Sequence, residues 1–179
     1  VGEAPSRIVL VGFMGSGKSA VGTRLAVLLG YGFEDMDRRI EKRTGRSIAA
    51  LFAGRGEEAF REEELREAEA LSRLDRRVVA TGGGAFVRPD TRARLQEGAL
   101  TVWLHCNTEE LLARIPDDGT RPLAAGNHAI MRALLAEREP SYRLADVQVD
   151  TSGATPGEVA RRIADLIKRR AAGERVVKG

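Results

Sequence analysis

Apolar positions along this chain follow two periods, and segments of one alternate with segments of the other. Arg7 to Val11 contains the β-branched run Ile8-Val9-Leu10-Val11, which ends at Gly12 and reads as a buried strand. From Ser19 to Leu29 the apolar residues Val21, Leu25, Leu28 and Leu29 fall at helical spacing, and Gly30 and Gly32 close that helix. Phe33 to Asp37 predicts a short second strand, and Arg38 to Arg43 a helix ended by Thr44-Gly45. Ser47 caps a short helix through Phe52, Gly54 and Gly56 break it, and a charged helix follows from about Glu57 to Leu74. Val78 to Ala80 is a third strand, terminated by Gly82-Gly83-Gly84. Pro89 to Gln96 is helical, and Leu100 to His105 is a fourth strand.

Asn107 or Thr108 caps a helix to about Ile115. Residues 116–126 show no period and hold proline, glycine and charge, which predicts a mobile loop. Asn127 caps a helix that runs to Glu139 and stops at Pro140, and Val147 to Val149 is the last strand. Thr155-Pro156-Gly157-Glu158 is a capping box with proline at the first helical position, opening a helix to about Arg170 ahead of a frayed tail, 171–179. Strands alternating with helices over the whole length predict an α/β fold in one domain, 1–179. The expected architecture is a three-layer αβα sandwich around a five-stranded parallel sheet with right-handed crossovers.

Composition narrows the function classes. With 42% apolar and 31% charged residues the chain is globular. No apolar run approaches the ~18–20 residues of a membrane span, so no membrane partner is expected. One cysteine, Cys106, cannot form an internal disulfide, which suits a reducing cytoplasm. Two histidines, His105 and His128, have no zinc-ligand spacing. The net charge of +3 is a weak field, so no nucleic-acid partner is expected, and a monomer is the default.

The strongest chemical signal is Gly12-Phe13-Met14-Gly15-Ser16-Gly17-Lys18-Ser19, a P-loop placed between a predicted strand and a predicted helix. Its glycines let successive backbone N–H groups curl around phosphate oxygens, and the following helix aims its positive end at them. Lys18 reaches the β- and γ-phosphates and the Ser19 hydroxyl takes a Mg²⁺ position. A GTPase would carry Asn-Lys-x-Asp, which is absent. Asp35 and Asp37, two apart at the end of the second predicted strand, would leave on one face at the edge where open α/β sheets bind ligands. One carboxylate could hold Mg²⁺ through water while the other receives an acceptor hydroxyl.

Taken in order, the motifs resemble the shikimate kinase family. They are the P-loop, Phe33-x-Asp35-x-Asp37, Gly45-Arg46-Ser47-Ile48, Gly56-Glu57-x-x-Phe60-Arg61-x-x-Glu64, Gly82-Gly83-Gly84, Arg121-Pro122-Leu123 and Arg138-x-x-x-Tyr142. The likeness runs from Ile8 to about Arg170. It implies a P-loop kinase that transfers the γ-phosphoryl group of ATP to the 3-hydroxyl of shikimate, on the route to aromatic amino acids, with Mg²⁺ on Ser19 and Asp35.

By that resemblance Lys18, Asp37 and Arg121 are catalytic, with Arg121 in a lid over residues 116–126. ATP would lie on Gly15, Ser16, Gly17, Lys18, Ser19 and Ala20, with Arg114 stacking on adenine and Ala154 and Pro156 in the adenine-holding turn. The short residues of that turn, Gly153-Ala154-Thr155, imply backbone contact, and Ala124 stands where the family has a second lid leucine. Shikimate would be held by Asp37, Arg61, Arg138 and the backbone of Gly82, Gly83 and Gly84, with Phe52 and Phe60 walling the ring. Arginine suits its carboxylate because the planar fork binds both oxygens. Taken alone, Arg61 would instead pair with Glu57 or Glu64 on a charged helix. The rival readings are a kinase for gluconate or a nucleoside monophosphate and, in a different class, a nucleotide switch or nucleic-acid-associated module.

Overall fold

Alternation puts Ile8 and Leu10 of β1 (Arg7–Val11) on one face of a sheet and Val9 and Val11 on the other, and all four are buried. The computed structural model describes residues 4–115 and 128–174. Around β1 it arranges β2 (Gly32–Asp35), β3 (Arg77–Ala80), β4 (Ala99–His105) and β5 (Val147–Asp150) in the order β2-β3-β1-β4-β5, every neighbouring pair parallel. A parallel sheet must be covered on both faces. Here α1 (Lys18–Leu29) and α7 (Pro156–Ala171) cover one, burying Val21, Leu25, Ile163 and Ile167 against Ile8, Leu10 and Val102. The other face receives α2 (Met36–Thr44), α3 (Ile48–Ser72), α4 (Pro89–Gln96), α5 (Thr108–Ala113) and α6 (His128–Tyr142), packed on Val9, Val11, Val79 and Trp103. Each large side chain fully buried in these layers contributes about 1.5–3 kcal/mol.

Two buried polar side chains find their partners where the layers meet. Arg7 donates to the carbonyls of Ser72, Leu74 and Glu97, tying the ends of α3 and α4 beneath the sheet. Thr101, fully buried on β4, exchanges hydrogen bonds of 2.7–2.9 Å with Asp146 just before β5. Among the described residues no helix is long and apolar enough to cross a membrane.

Several predicted boundaries shift, each for a local reason. The second strand stops at Asp35 rather than Asp37, because the Asp35 carboxylate accepts the Arg38 N–H at 3.2 Å and starts α2 at Met36. Asp37 therefore sits in a helical first turn, and the two aspartates do not share a strand face. Gly54 does not break the chain's third helix. Only Gly56 leaves helical geometry, at φ 81°, so α3 continues through a kink to Ser72. Pro140 does not stop α6, which runs on to Tyr142. A proline in the last turn removes one hydrogen bond, and the burial of Tyr142 outweighs that loss. The first helical residue after the P-loop is Lys18, α5 ends at Ala113, and Ala171 of the expected tail is helical. The lid with Arg121, the Asn127 cap and residues 175–179 lie outside the described residues.

Candidate active site

The carboxyl ends of β1 and β3 part to opposite faces, β1 feeding α1 and β3 leading to α4, and ligands of open α/β sheets bind in such a crevice. The P-loop leaves β1 there. Gly12, Gly15 and Gly17 adopt φ of 145°, 78° and 90°, values a side chain resists, and a Cβ on Gly12 would stand 2.8 Å from the Leu104 carbonyl. Lys18 Nζ donates to the carbonyls of Gly12 and Phe13, both at 2.8 Å, which holds its charge over the loop. Ser16 is buried beneath it.

Ser19 Oγ donates to Asp35 Oδ2 at 2.7 Å, linking the first turn of α1 to the end of β2. A hydroxyl and one carboxylate beside a phosphate loop suit Mg²⁺, which keeps several waters and takes one or two protein oxygens plus phosphate. The described residues hold no cluster of three or more His, Cys, Asp or Glu, so they offer no all-protein metal cage.

A cleft of about 730 Å³ extends from Gly15, Gly17, Lys18, Ser19 and Ala20 past Asp35 and Asp37 to Phe52, Phe60, Arg61 and Arg138. Its floor is the strap Gly82-Gly83-Gly84 after β3, and each glycine abuts a charged group. A Cβ on Gly82 would lie 2.7 Å from Asp37 Oδ1 and 3.2 Å from Glu64 Oε1. One on Gly83 would lie 3.4 Å from Arg138 Nη1, and one on Gly84 would overlap the Arg61 guanidinium. The strap has no side chains because the charged groups of three helices occupy that space. Phe52 and Phe60 meet at 4.7 Å between ring centroids and form an apolar wall.

Arg61 pairs with Glu64 at 2.6 Å and with Glu57 at 3.0 Å, so the ion pair and a place in the cleft coexist. Glu64 is 1% exposed. Burial pushes its carboxyl up to about 7, the nearby Asp37 adds to the rise, and Arg61 and Arg138 oppose it. Arg138 is itself buried, its guanidinium carbon 5.8 Å from the Phe13 ring centroid.

The structure thus brings together on one cleft the predicted residues Gly15, Gly17, Lys18, Ser19, Ala20, Asp35, Asp37, Phe52, Phe60, Arg61, Gly82, Gly83, Gly84 and Arg138. Ser16, Arg114, Ala154 and Pro156 do not line it. Arg114 stands beside Gly15 on the loop's far side, pairs with Glu110 and donates to the Thr151 carbonyl at 3.3 Å. Glu110 in turn accepts the Gly153 N–H, which fastens the 153–156 turn to α5. Sequence reasoning passed over Glu64 as a site residue, along with Met14, Ile48 and Thr81 on the same walls. For Glu64 the available signal was its position one turn after Arg61, which the pairing alternative had used up.

A family model described as "Shikimate kinase" matches residues 14–168. The chain is 46% identical over 169 residues to the shikimate kinase of Halorhodospira halophila, covering 93% of this chain and 96% of that one. It is 42% identical over 163 residues to that of Geobacter sulfurreducens, covering 90% of each. Its backbone is similar to that of the shikimate kinase from Acinetobacter baumannii in complex with shikimate, with a TM-score of 0.89, 36% identity, and coverage of 94% and 96%.

Proposed function

The chain belongs to the shikimate kinase family, and from that we propose that its cleft is where the γ-phosphoryl group of ATP passes to the 3-hydroxyl of shikimate. The observation that carries the reading is the floor of the cleft. Three consecutive glycines set Arg61, Arg138, Asp37 and Glu64 around one space that opens onto the P-loop. One buried cation, Arg138, and one partly buried cation, Arg61, beside hydroxyl-accepting carboxylates match an acceptor with one carboxylate and three ring hydroxyls.

Within this reading the P-loop amides, the α1 N-terminus and Lys18 bind the β- and γ-phosphates. Ser19 and Asp35 hold Mg²⁺, which supplies positive charge against the phosphate oxygens when bound. Arg61 and Arg138 grip the shikimate carboxylate, and Phe52 and Phe60 pack on its ring. That fixes the ring so that the 3-hydroxyl faces Asp37, which orients it and receives its proton. The phosphoryl transition state is loose, so most of the rate comes from this alignment and from charge neutralisation. By the family resemblance Arg121, outside the described residues, adds to those charges, and Arg114 with Ala154 and Pro156 flanks adenine on the far side of the loop.

The reading is tested by the position of the new ester. Phosphorus–proton correlation spectra of the product from ATP and shikimate should show one phosphomonoester coupled to the ring proton at carbon 3. An ester at another hydroxyl, or none, contradicts the placement of Asp37.

A further inference from the structure

Tyr142 closes α6, is completely buried, and does not line the cleft. Its hydroxyl donates to the Gly83 carbonyl at 2.5 Å, across 59 residues of sequence. The other two strap carbonyls are held by the chain that follows them, Gly82 O by the Ala85 N–H at 3.3 Å and Gly84 O by the Val87 N–H at 3.1 Å. The central carbonyl alone is held from another layer. Among the described residues no backbone carbonyl accepts from the N–H of Gly83 or Gly84 in a turn or loop bond, and both glycines lie on the cleft floor. Peptides here are trans, so C=O and N–H point opposite ways. Drawing Gly83 O towards α6 turns the Gly84 N–H away from α6.

We propose that Tyr142 is a positioning residue of the acceptor subsite: its hydroxyl sets the Gly83–Gly84 peptide so that the strap presents an N–H donor to an oxygen of the bound acid. This rests on the reading of the cleft as the shikimate site. Three further features fit the role. Arg138 lies one turn earlier on the same helix, and its Nη1 approaches the same glycine. One face of α6 therefore delivers both a guanidinium and a phenol to the strap. Trp103, 6.1 Å away between ring centroids, packs on the Tyr142 ring. Burial pushes the phenol up to about 12, which keeps it a donor at every working pH. A phenylalanine would fill the same volume, so what the hydroxyl adds is the direction of one peptide together with a side-chain hydrogen bond to Arg138, and the Gly83 and Gly84 amide signals read the first separately from the second.

The test is Tyr142→Phe, read by kinetics and by glycine-selective ¹⁵N spectra. The shikimate KM should rise about three- to tenfold, the scale of one neutral hydrogen bond, with the ATP KM within about twofold. In the native enzyme shikimate should shift the Gly83 and Gly84 amides. In the variant those signals should be displaced before ligand is added and respond less to it, while Gly15 and Gly17 keep their response to MgATP. A variant with native shikimate KM and native Gly83 and Gly84 responses overturns the proposal, whatever its melting temperature.

Should Tyr142→Phe fail to fold, 3-fluorotyrosine in a Tyr31→Phe background leaves a single ¹⁹F reporter, since the chain has two tyrosines. That signal should move with shikimate but not with MgATP, and indifference to shikimate overturns the proposal. If the native enzyme itself binds no shikimate, the functional reading falls instead, and the unliganded glycine spectra still report whether the hydroxyl orients the strap.

Discussion

Arg61 Nη1 lies 2.6 Å from Glu64 Oε2, one turn along α3, and the guanidinium is pressed between the Phe60 ring and the backbone of Gly84. The carboxylate that fixes Arg61 is nearly inaccessible to solvent, so the arginine is aimed before any substrate arrives. Arg61 also lines the cleft, so the donors that Glu64 and Glu57 leave over are within the space where a substrate carboxylate would bind.

Removing that fork should weaken acceptor recognition selectively. Arg61→Ala is expected to raise the shikimate KM by about 10- to 150-fold, corresponding to about 1.5–3 kcal/mol for a charged hydrogen bond, and to leave the ATP KM nearly unchanged. Arg61→Lys should recover only part of the loss, because an ammonium lacks the two parallel donors. Steady-state kinetics with each substrate varied in turn reads both.

Gly84→Ala reaches the same group from the other side. The added methyl would overlap the guanidinium, the far end of a flexible side chain, so the arginine swings aside and the backbone stays in place. The expected outcome is a shikimate KM raised towards that of Arg61→Ala with little change in melting temperature. A methyl on Gly82 meets the Asp37 carboxylate instead, so Gly82→Ala should lower kcat more than Gly84→Ala does.

Glu64 gives the site a pH dependence. Its carboxyl rises from 4.5 to about 7, through burial first and then Asp37 from α2, against Arg61 on its own helix and Arg138 from α6. The folded chain therefore holds this proton more tightly than the unfolded chain. The stability it contributes is complete below about pH 4.5 and is lost as pH rises through about 7. Denaturant midpoints of Glu64→Gln and the native protein should thus diverge across that window, the variant lacking this downward slope. A second anionic carboxylate bound at Arg61 raises Glu64 further, so shikimate binding near pH 7 should take up a proton. Calorimetry in buffers of different ionisation enthalpy measures that uptake, which should vanish in Glu64→Gln.

Asp37→Asn preserves shape and removes the charge that receives the hydroxyl proton. A fall in kcat of about 10²–10⁴-fold is expected, with MgATP affinity within about threefold of native. Single-turnover rates and nucleotide titrations separate the two quantities.

Much of this arrangement was legible in the residues. The strands announced themselves because β-branched runs such as Ile8 to Val11 are apolar on both faces, and the P-loop because its glycines and Lys18-Ser19 serve backbone and phosphate together. The Thr155–Glu158 capping box was legible as a local motif, and both of its hydrogen bonds are present. The misreadings came where a tertiary or capping contact outweighed a local rule. Asp35 looked like a strand residue until its side chain capped α2, and Pro140 looked like a stop until the burial of Tyr142 carried α6 past it. Glu64 was legible as the end of a motif and as an ion-pair partner of Arg61, but not as a buried group of the site. Its burial beside Asp37 arises from α2 and α3 meeting over Gly82, a contact that no spacing within one helix encodes.

The most direct test of the central claim is ADP release from MgATP with shikimate, run beside gluconate, AMP and no acceptor. Turnover should depend on shikimate and be absent or marginal with the others. Turnover driven equally by gluconate or AMP, or ATP bound without acceptor-dependent turnover, would contradict that claim.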